Sequence, residues 1–450
     1  MTSIVNKILT NLVSSAEKSL LGTSGNLVSS GGKSTSDDII AGDIEIVSLL
    51  LMSEDQQRKY DLLTQCKEIN IYEDITSPVI YAELGIQDSI GLYQSFPILG
   101  EEYVSISFRT PGTDRTADYL FRVNMIHDKT VEESNKMVTY YIQCISPEIL
   151  RNATTYVNKS YKKNIHEVVN EIIKEDLVTE KPVRVDVTAG IEEGLITRMQ
   201  PFKAIDFLRQ RAVSNKYKSS VFTFFESRDG YRFTTLEQLI EEGKKTVDDS
   251  DKHFFFDTIR KENIKDVNIR NIIAYNQLNM GGNIAVAQSG GLKNEVSAYD
   301  FITGSVRKIE YKDDGSSGYQ QLDKNGAKTG STTFSKIHGT TTADRMLVPI
   351  SSDSSATMIP DKISNSRAFA LGIINNTCRI HIYGDSEIKV GDVIKCTLPS
   401  AVDAEQVSSS ARLETGNYLV AKVRHIITNT DRPQHTIALE LIKGDFPYVA

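Results

Sequence analysis

Polar and apolar residues alternate from Tyr103 to Arg109, with Tyr103, Ser105 and Ser107 on one side and Val104, Ile106 and Phe108 on the other. That period of two predicts a strand with one buried and one exposed face. Pro111-Gly112 supplies the turn after it. Between Asp43 and Leu150 the same kind of short β-rich run recurs at Ile44–Leu51, Glu68–Tyr72, Val79–Ile86, Tyr119–His127 and Met137–Cys144. Strands of this length, separated by turn residues, predict an antiparallel sandwich or barrel.

The period changes after Lys162. From there to Glu241 the chain reads as helix, loop, helix, hairpin, helix. Ile165, Val168, Val169, Ile172 and Ile173 form one apolar stripe, and Pro201 is a suitable first residue for a helix carrying Ile205, Phe207, Leu208 and Val213 over Lys203–Ser214. Val221–Glu226, a turn at Asp229-Gly230, and Tyr231–Thr234 predict a β-hairpin. Gly281 to Thr342 is rich in Gly, Ser and Thr, and only Val306–Tyr311 reads as a strand there, so this part is expected at the periphery or ordered by a partner. Strong β patterning returns at Thr377–Tyr383, Val393–Leu398, Tyr418–Ile427 and Thr436–Ile442, with turns expected at Gly391-Asp392 and Gly416-Asn417. Met1–Leu21 has helical spacing of apolar residues broken by Lys7, Asn11 and Lys18, and Gly22–Asp38 reads as a Gly/Ser tether. The first helix is then either an arm that docks on a neighbour or a frayed terminus. It lacks an unbroken apolar run, so neither export nor a membrane-spanning segment is expected.

Composition narrows the function. The 450 residues are enough for several buried cores. The 59 acidic against 51 basic side chains, a net charge of −8, argue against a protein that coats nucleic acid by neutralising phosphates. Cys66, Cys144, Cys378 and Cys396 show no CxxC spacing and are expected as buried, reduced thiols. His381 and His425 lie within predicted strands with no metal-spaced Cys or acid beside them, so no metal site is predicted. Glu101-Glu102, Glu192-Glu193 and Glu241-Glu242 are sequence neighbours and read as solvated faces, not as carboxylates opposed across a cleft. No Gly-rich loop leads into Lys-Ser/Thr at a helix start, and Lys216-Tyr-Lys218 is too short for a nucleic-acid platform. No catalytic, cofactor-binding or metal-binding residue and no cofactor is predicted, so the chain is expected not to be an enzyme.

Three groups of residues carry a resemblance. Ile75–Val79 leading to Gly85–Ser89, then Phe96–Glu102 and Ile106–Pro111, resembles the first barrel of baseplate hub proteins of contractile-tailed bacteriophages. Pro201–Ala212 with the hairpin Phe224–Phe233 is similar to that family's helix and hairpin entering the second barrel. Gly416–Val420 through Val423-Arg-His425 to Leu441 is similar to the closing strands of hub and type VI secretion spike proteins. The matches cover roughly half the chain in the family's order, and the arm before Asp43 and the region 281–342 depart from it.

The resemblance implies a β-rich α+β fold with two similar antiparallel, tail-tube-like β-barrels and peripheral α/β parts. The divisions it implies are an arm and linker at 1–41, a first barrel at 42–150, a mixed connecting domain at 151–218, a discontinuous second barrel from 219–236 and 366–450, and a peripheral insertion at 237–365. It further implies a homotrimeric ring of the virion baseplate, assembled in the host cytoplasm. Such a ring joins the hexameric tail tube, or a tube initiator, to a trimeric central spike. The arm is a candidate contact for a tape-measure protein, and DNA would transit the channel without specific binding, a passage that an acidic lumen would favour. Pro97, Gly100, Glu101 and Glu102 are candidates for a loop at a subunit contact or for a simple turn. Phe202, Phe207, Leu208, Phe224 and Phe225 are expected in the core of the helix and hairpin. A glycan- or receptor-binding β protein and a tail-associated wall hydrolase are the alternatives.

Overall fold

The computed structural model describes residues 40–132, 137–217, 220–247, 252–256, 268–280, 293–300, 304–312, 326–328, 345–350, 359–373, 376–398, 415–443 and 445–447. The expected N-terminal helix and tether lie outside them.

The first half is built from β1 (Glu45–Met52), β2 (Lys59–Asp61), β3 (Cys66–Asp74), β4 (Tyr81–Asp88), a single turn α1 (Leu92–Ser95), β5 (Tyr103–Arg109), β6 (Ala117–Glu132) and β7 (Met137–Ile145). Their antiparallel order is β2-β1-β5-β6-β7-β4-β3. The period of two read from the sequence is the reason: Leu49 and Leu51, Ile69 and Ile71, Leu84 and Ile86, Val104, Ile106 and Phe108, Phe121 and Val123, and Tyr140 and Ile142 all fall on one face and share one core. A single face that packs on itself requires the sheet to curl.

A smaller layered unit follows, with α2 (Glu148–Thr154), β8 (Val157–Asn164), α3 (Ile165–Glu171, continued by a wider π turn to Leu177), β9 (Val183–Val185), β10 (Ile191–Met199), α4 (Pro201–Arg211), and the hairpin β11 (Phe222–Ser227) and β12 (Gly230–Thr235). The stripes of α3 and α4 pack on Phe222, Phe224, Tyr231 and Phe233 to form a second core. The ribbon β8–β10 was not legible in the sequence. Its outward residues, among them Asn158, Ser160, Lys162, Glu193 and Thr197, give it little apolar contrast, and Gly194 interrupts the run. In the ribbon that glycine is a packing requirement, since a Cβ there would meet the Tyr161 hydroxyl at 2.5 Å.

The chain continues through α5 (Leu236–Val247), β13 (His253–Phe255), β14 (Ile272–Met280), β15 (Lys293–Asp300), β16 (Val306–Lys312), β17 (Gly326–Lys328), β18 (Arg345–Ile350), α6 (Ile359–Ile373), β19 (Asn376–Tyr383), β20 (Val393–Thr397), β21 (Gly416–Thr428), β22 (Gln434–Ile442) and β23 (Asp445–Pro447). Region 281–342, where the sequence predicts one strand, also holds β15 and β17. Gly416-Asn417 opens β21 in place of the expected turn. Strands β14, β19, β22, β21 and β20 carry the third core, covered by Leu239 and Ile240 of α5 and Phe369 and Ile373 of α6.

The two halves are one sheet. The thirteen residues of β21 do three jobs: Gly416–Leu419 pairs with β20, Lys422–Thr428 pairs with β3, and Leu419–Thr428 pairs with β22 on the other side. A bulge between Val420 and Lys422 marks the change of partner. Among the described residues the strand path ends at β14 and β2 without closing, so the structure is β-rich α+β, and two closed barrels are not described. The hairpin β11–β12 pairs in parallel with β9 and stands outside the large sheet, although Phe225 enters the third core.

Candidate functional site

The loop Phe96–Glu102 is organised by one carboxylate. Glu102 is buried, and its oxygens accept hydrogen bonds from the backbone N–H groups of Leu99 (3.0 and 3.1 Å), Gly100 (2.9 Å) and Glu101 (3.1 Å). Gly100 sits at φ +93°, where a side chain would be strained and a Cβ would meet the Asn124 carbonyl at 3.3 Å. Held this way, the loop projects Leu99, which is 78% exposed, with Pro97 and Glu101 also exposed beside it. Sequence reasoning singled out the polar and turn residues and missed Leu99, whose exposure depends on the fixed loop.

Leu208, Phe224 and Phe225 are buried, and Phe202 and Phe207 are half-buried against the second core. The Phe202 ring lies 6.1 Å from Phe224 and 6.3 Å from Tyr231. Arg211 covers Phe207 at 5.6 Å.

A buried polar seam joins the halves beneath the sheet. Thr110 and Ser386 exchange hydrogen bonds of 3.1 and 2.9 Å. The carboxylate of Glu73 accepts from the Tyr119 hydroxyl at 3.0 Å and the Val390 N–H at 3.3 Å, and burial pushes its pKa up. Arg228, at the tip of the β11–β12 hairpin, donates to the Ser386 carbonyl and favours the charged form of Glu73. His425 and His435, both fully buried, meet Nδ1 to Nε2 at 3.0 Å, with the Phe108 ring edge-on to each. Burial holds both imidazoles neutral, His435 down to about 3 and His425 well below its usual range, where the neighbouring His435 and Arg228 add to the effect. Among the described residues His425 Nε2 and His435 Nδ1 have no hydrogen-bond partner.

On the opposite, outward face the same strands form a groove of about 600 Å³. Its floor is a row of cross-strand pairs: Arg379 faces Glu440, Glu440 faces Lys422, and Lys422 faces Asp74. The charges alternate, with Lys422 Nζ 3.2 Å from Glu440 and 3.6 Å from Asp74. The next row runs His381, Ala438, Arg424, Tyr72, Tyr81. Sequence patterning predicts these strands but cannot show that residues from five of them lie side by side.

The expectation of solvated faces fails for Glu102 and Glu192, which are buried; in β10 the strand period separates Glu192 from Glu193. Glu192 is buried against Arg211 and Tyr161, while Glu193 pairs outward with Lys162 at 2.8 Å. All four cysteines are free and buried. Among the described residues no cluster of three or more His, Cys, Asp or Glu can hold a metal, and no helix is long and apolar enough to cross a membrane.

At the level of sequence no family model and no curated protein matches the chain. Solved structures do. The 43 kDa tail protein of prophage MuSo2 from Shewanella oneidensis aligns with a TM-score of 0.53 at 9% identity, over 88% of this chain and 98% of its own. The tail protein from Neisseria meningitidis MC58 aligns with a TM-score of 0.52 at 10% identity, over 88% and 96%. A type VI secretion system component of E. coli aligns more loosely, with a TM-score of 0.40 at 8% identity over 86% and 74%. The fold of this chain is that of phage tail proteins.

Proposed function

We propose that the chain is a structural subunit of a phage tail, the baseplate hub, and that three copies close into a ring joining the tail tube to the central spike. The observation that carries this reading is the end-to-end match to tail proteins, which extends over nearly the whole of both chains and is not confined to one motif. The shared strand β21 supports it physically. Two sheet halves welded through one strand make a stiff double unit, so three copies would present six similar curled sheets, a match for a hexameric tube on one side and a trimeric spike on the other. In this reading each curled half is one barrel, the units at 151–218 and 237–365 lie outside the ring, and the N-terminal arm reaches a tape-measure protein or another tail component. The open centre passes DNA during ejection and holds no base-specific contact. The loop Pro97–Glu102, with Leu99 at its tip, is a subunit contact.

The test is the mass in solution by light scattering behind a sizing column, alone and with tube and spike proteins of the same tail. A particle of three times 50.1 kDa is expected, with Leu99→Asp shifting it to monomer while the circular dichroism stays unchanged. A species that is monomeric under every condition overturns the ring.

A further inference from the structure

The outward groove contains one cation that the ladder does not use. Arg424 Nε and Nη2 both donate to Asn70 Oδ1, at 3.1 and 2.9 Å, and the guanidinium lies 5.2 Å over the Tyr72 ring. Among the described residues no carboxylate pairs with it, in contrast to Arg379 and Lys422, whose acids are Glu440 and Asp74. Two strands away, His381 points to the same side, half-buried, and burial together with Arg379 and Arg424 holds its imidazole neutral. Between the two stands Ala438, directly opposite both. Adjacent strands lie about 4.8 Å apart, so the short alanine leaves a dip between an imidazole and a guanidinium. Tyr72, half-buried, and Tyr81, 41% exposed, wall one side.

We propose that this groove is a docking site for an extended segment of a partner protein that sets a carboxylate over Ala438. The carboxylate accepts from Arg424 Nη1 and from a ring nitrogen of His381, while the adjoining residues lie along Tyr72 and Tyr81. Charge complementarity selects this occupant. The groove's outward side chains are three cations, Arg379, Lys422 and Arg424, against two acids, Asp74 and Glu440, on a chain whose net charge is −8. One carboxylate completes the pairing. A polyphosphate strand fits less well, since Asp74 and Glu440 in the floor repel every second phosphate. The site lies across the seam and does not depend on the ring.

The experiment is an NMR titration of the full chain with three N-acetylated pentapeptides of glycine, the first two also C-terminally amidated. One carries a central Glu, one a central Gln, and one ends in a free C-terminal carboxylate. Oligothymidylate is the fourth probe. The Glu peptide is expected to bind saturably with a Kd on the order of 1 mM, shifting the Arg424 Nε–H and His381 signals. Arg424→Gln and Ala438→Leu, both at outward positions, are expected to weaken it at least about tenfold while the remaining spectrum is unchanged. Binding of the free-carboxylate peptide alone keeps the site and identifies a chain terminus as its ligand. Equal binding of the Glu and Gln peptides, tighter binding of oligothymidylate, or no saturation by any peptide overturns the proposal.

Discussion

Glu102 shows how one side chain can set a surface. Its carboxylate replaces the water that three consecutive N–H groups would otherwise need, and that fixes an apolar tip in solvent. Glu102→Ala leaves those donors without an acceptor and is expected to cost about 2 kcal/mol, measured by urea unfolding, with faster amide exchange confined to 97–102. The His425–His435 pair makes a second prediction, about pH. Both folded pKa values lie below the unfolded value near 6.5, so the unfolded chain binds up to two more protons as pH falls. Stability is therefore fully present above about pH 6.5 and falls below it, at up to about 2.7 kcal/mol per pH unit for the pair. Glu73, with its raised pKa, works in the opposite sense. The comparison that isolates the histidines is the slope of unfolding free energy between pH 6 and 5 in the wild type against His425→Asn/His435→Asn. Equal slopes would refute the assignment. The thiols give a simpler check. Burial pushes Cys66 up to about 12, Cys144 higher still and Cys396 well above the ordinary thiol range, so the native protein is expected to resist thiol reagents and to expose four reactive groups on unfolding.

At the scale of elements, close approach matters more than propensity. Gly243 lies inside α5, where alanine would ordinarily favour the helix by up to about 1 kcal/mol. A Cβ there would stand 2.1 Å from Val393 Cγ2 of β20, a contact within the third core. Gly243→Ala is therefore expected to destabilise by about 1–3 kcal/mol, and Gly243→Ala/Val393→Ala to recover part of that loss, as read in thermal denaturation. Elements were legible where the period was clean. The sequence places β5 at Tyr103–Arg109, as the structure does; the hairpin strands fall within one residue of their observed ends and α4 within three. The ribbon β8–β10 was not legible, because Ile191 and Leu195 face solvent while Glu192 is buried by Arg211, the reverse of the usual sorting. The groove was legible only as separate predicted strands. Pairing Arg379 with Glu440 and Lys422 with Asp74 requires contacts across 61 and several hundred residues of chain, which local patterning does not encode.

For the whole molecule, β21 decides cooperativity. Strands from both halves hydrogen-bond to it, so the first and third cores should open together. In native-state hydrogen exchange, amides of β3, β21 and β22 are expected to share one protection free energy. Protection that persists in β3–β7 after β21 and β22 have fully exchanged would show that the halves are independent units. Alternation of apolar residues, turn glycines and helix stripes determined by themselves that the chain is β-rich α+β with cores on identifiable faces, because the side-chain period of a strand or helix is a local property. The lack of CxxC spacing likewise pointed to buried, free cysteines. Which strands become neighbours, the single sheet running through β21, the buried seam of His425, His435 and Glu73, and the outward groove above it were decided only by tertiary structure. Those features depend on pairing and burial between distant segments, which no local period specifies.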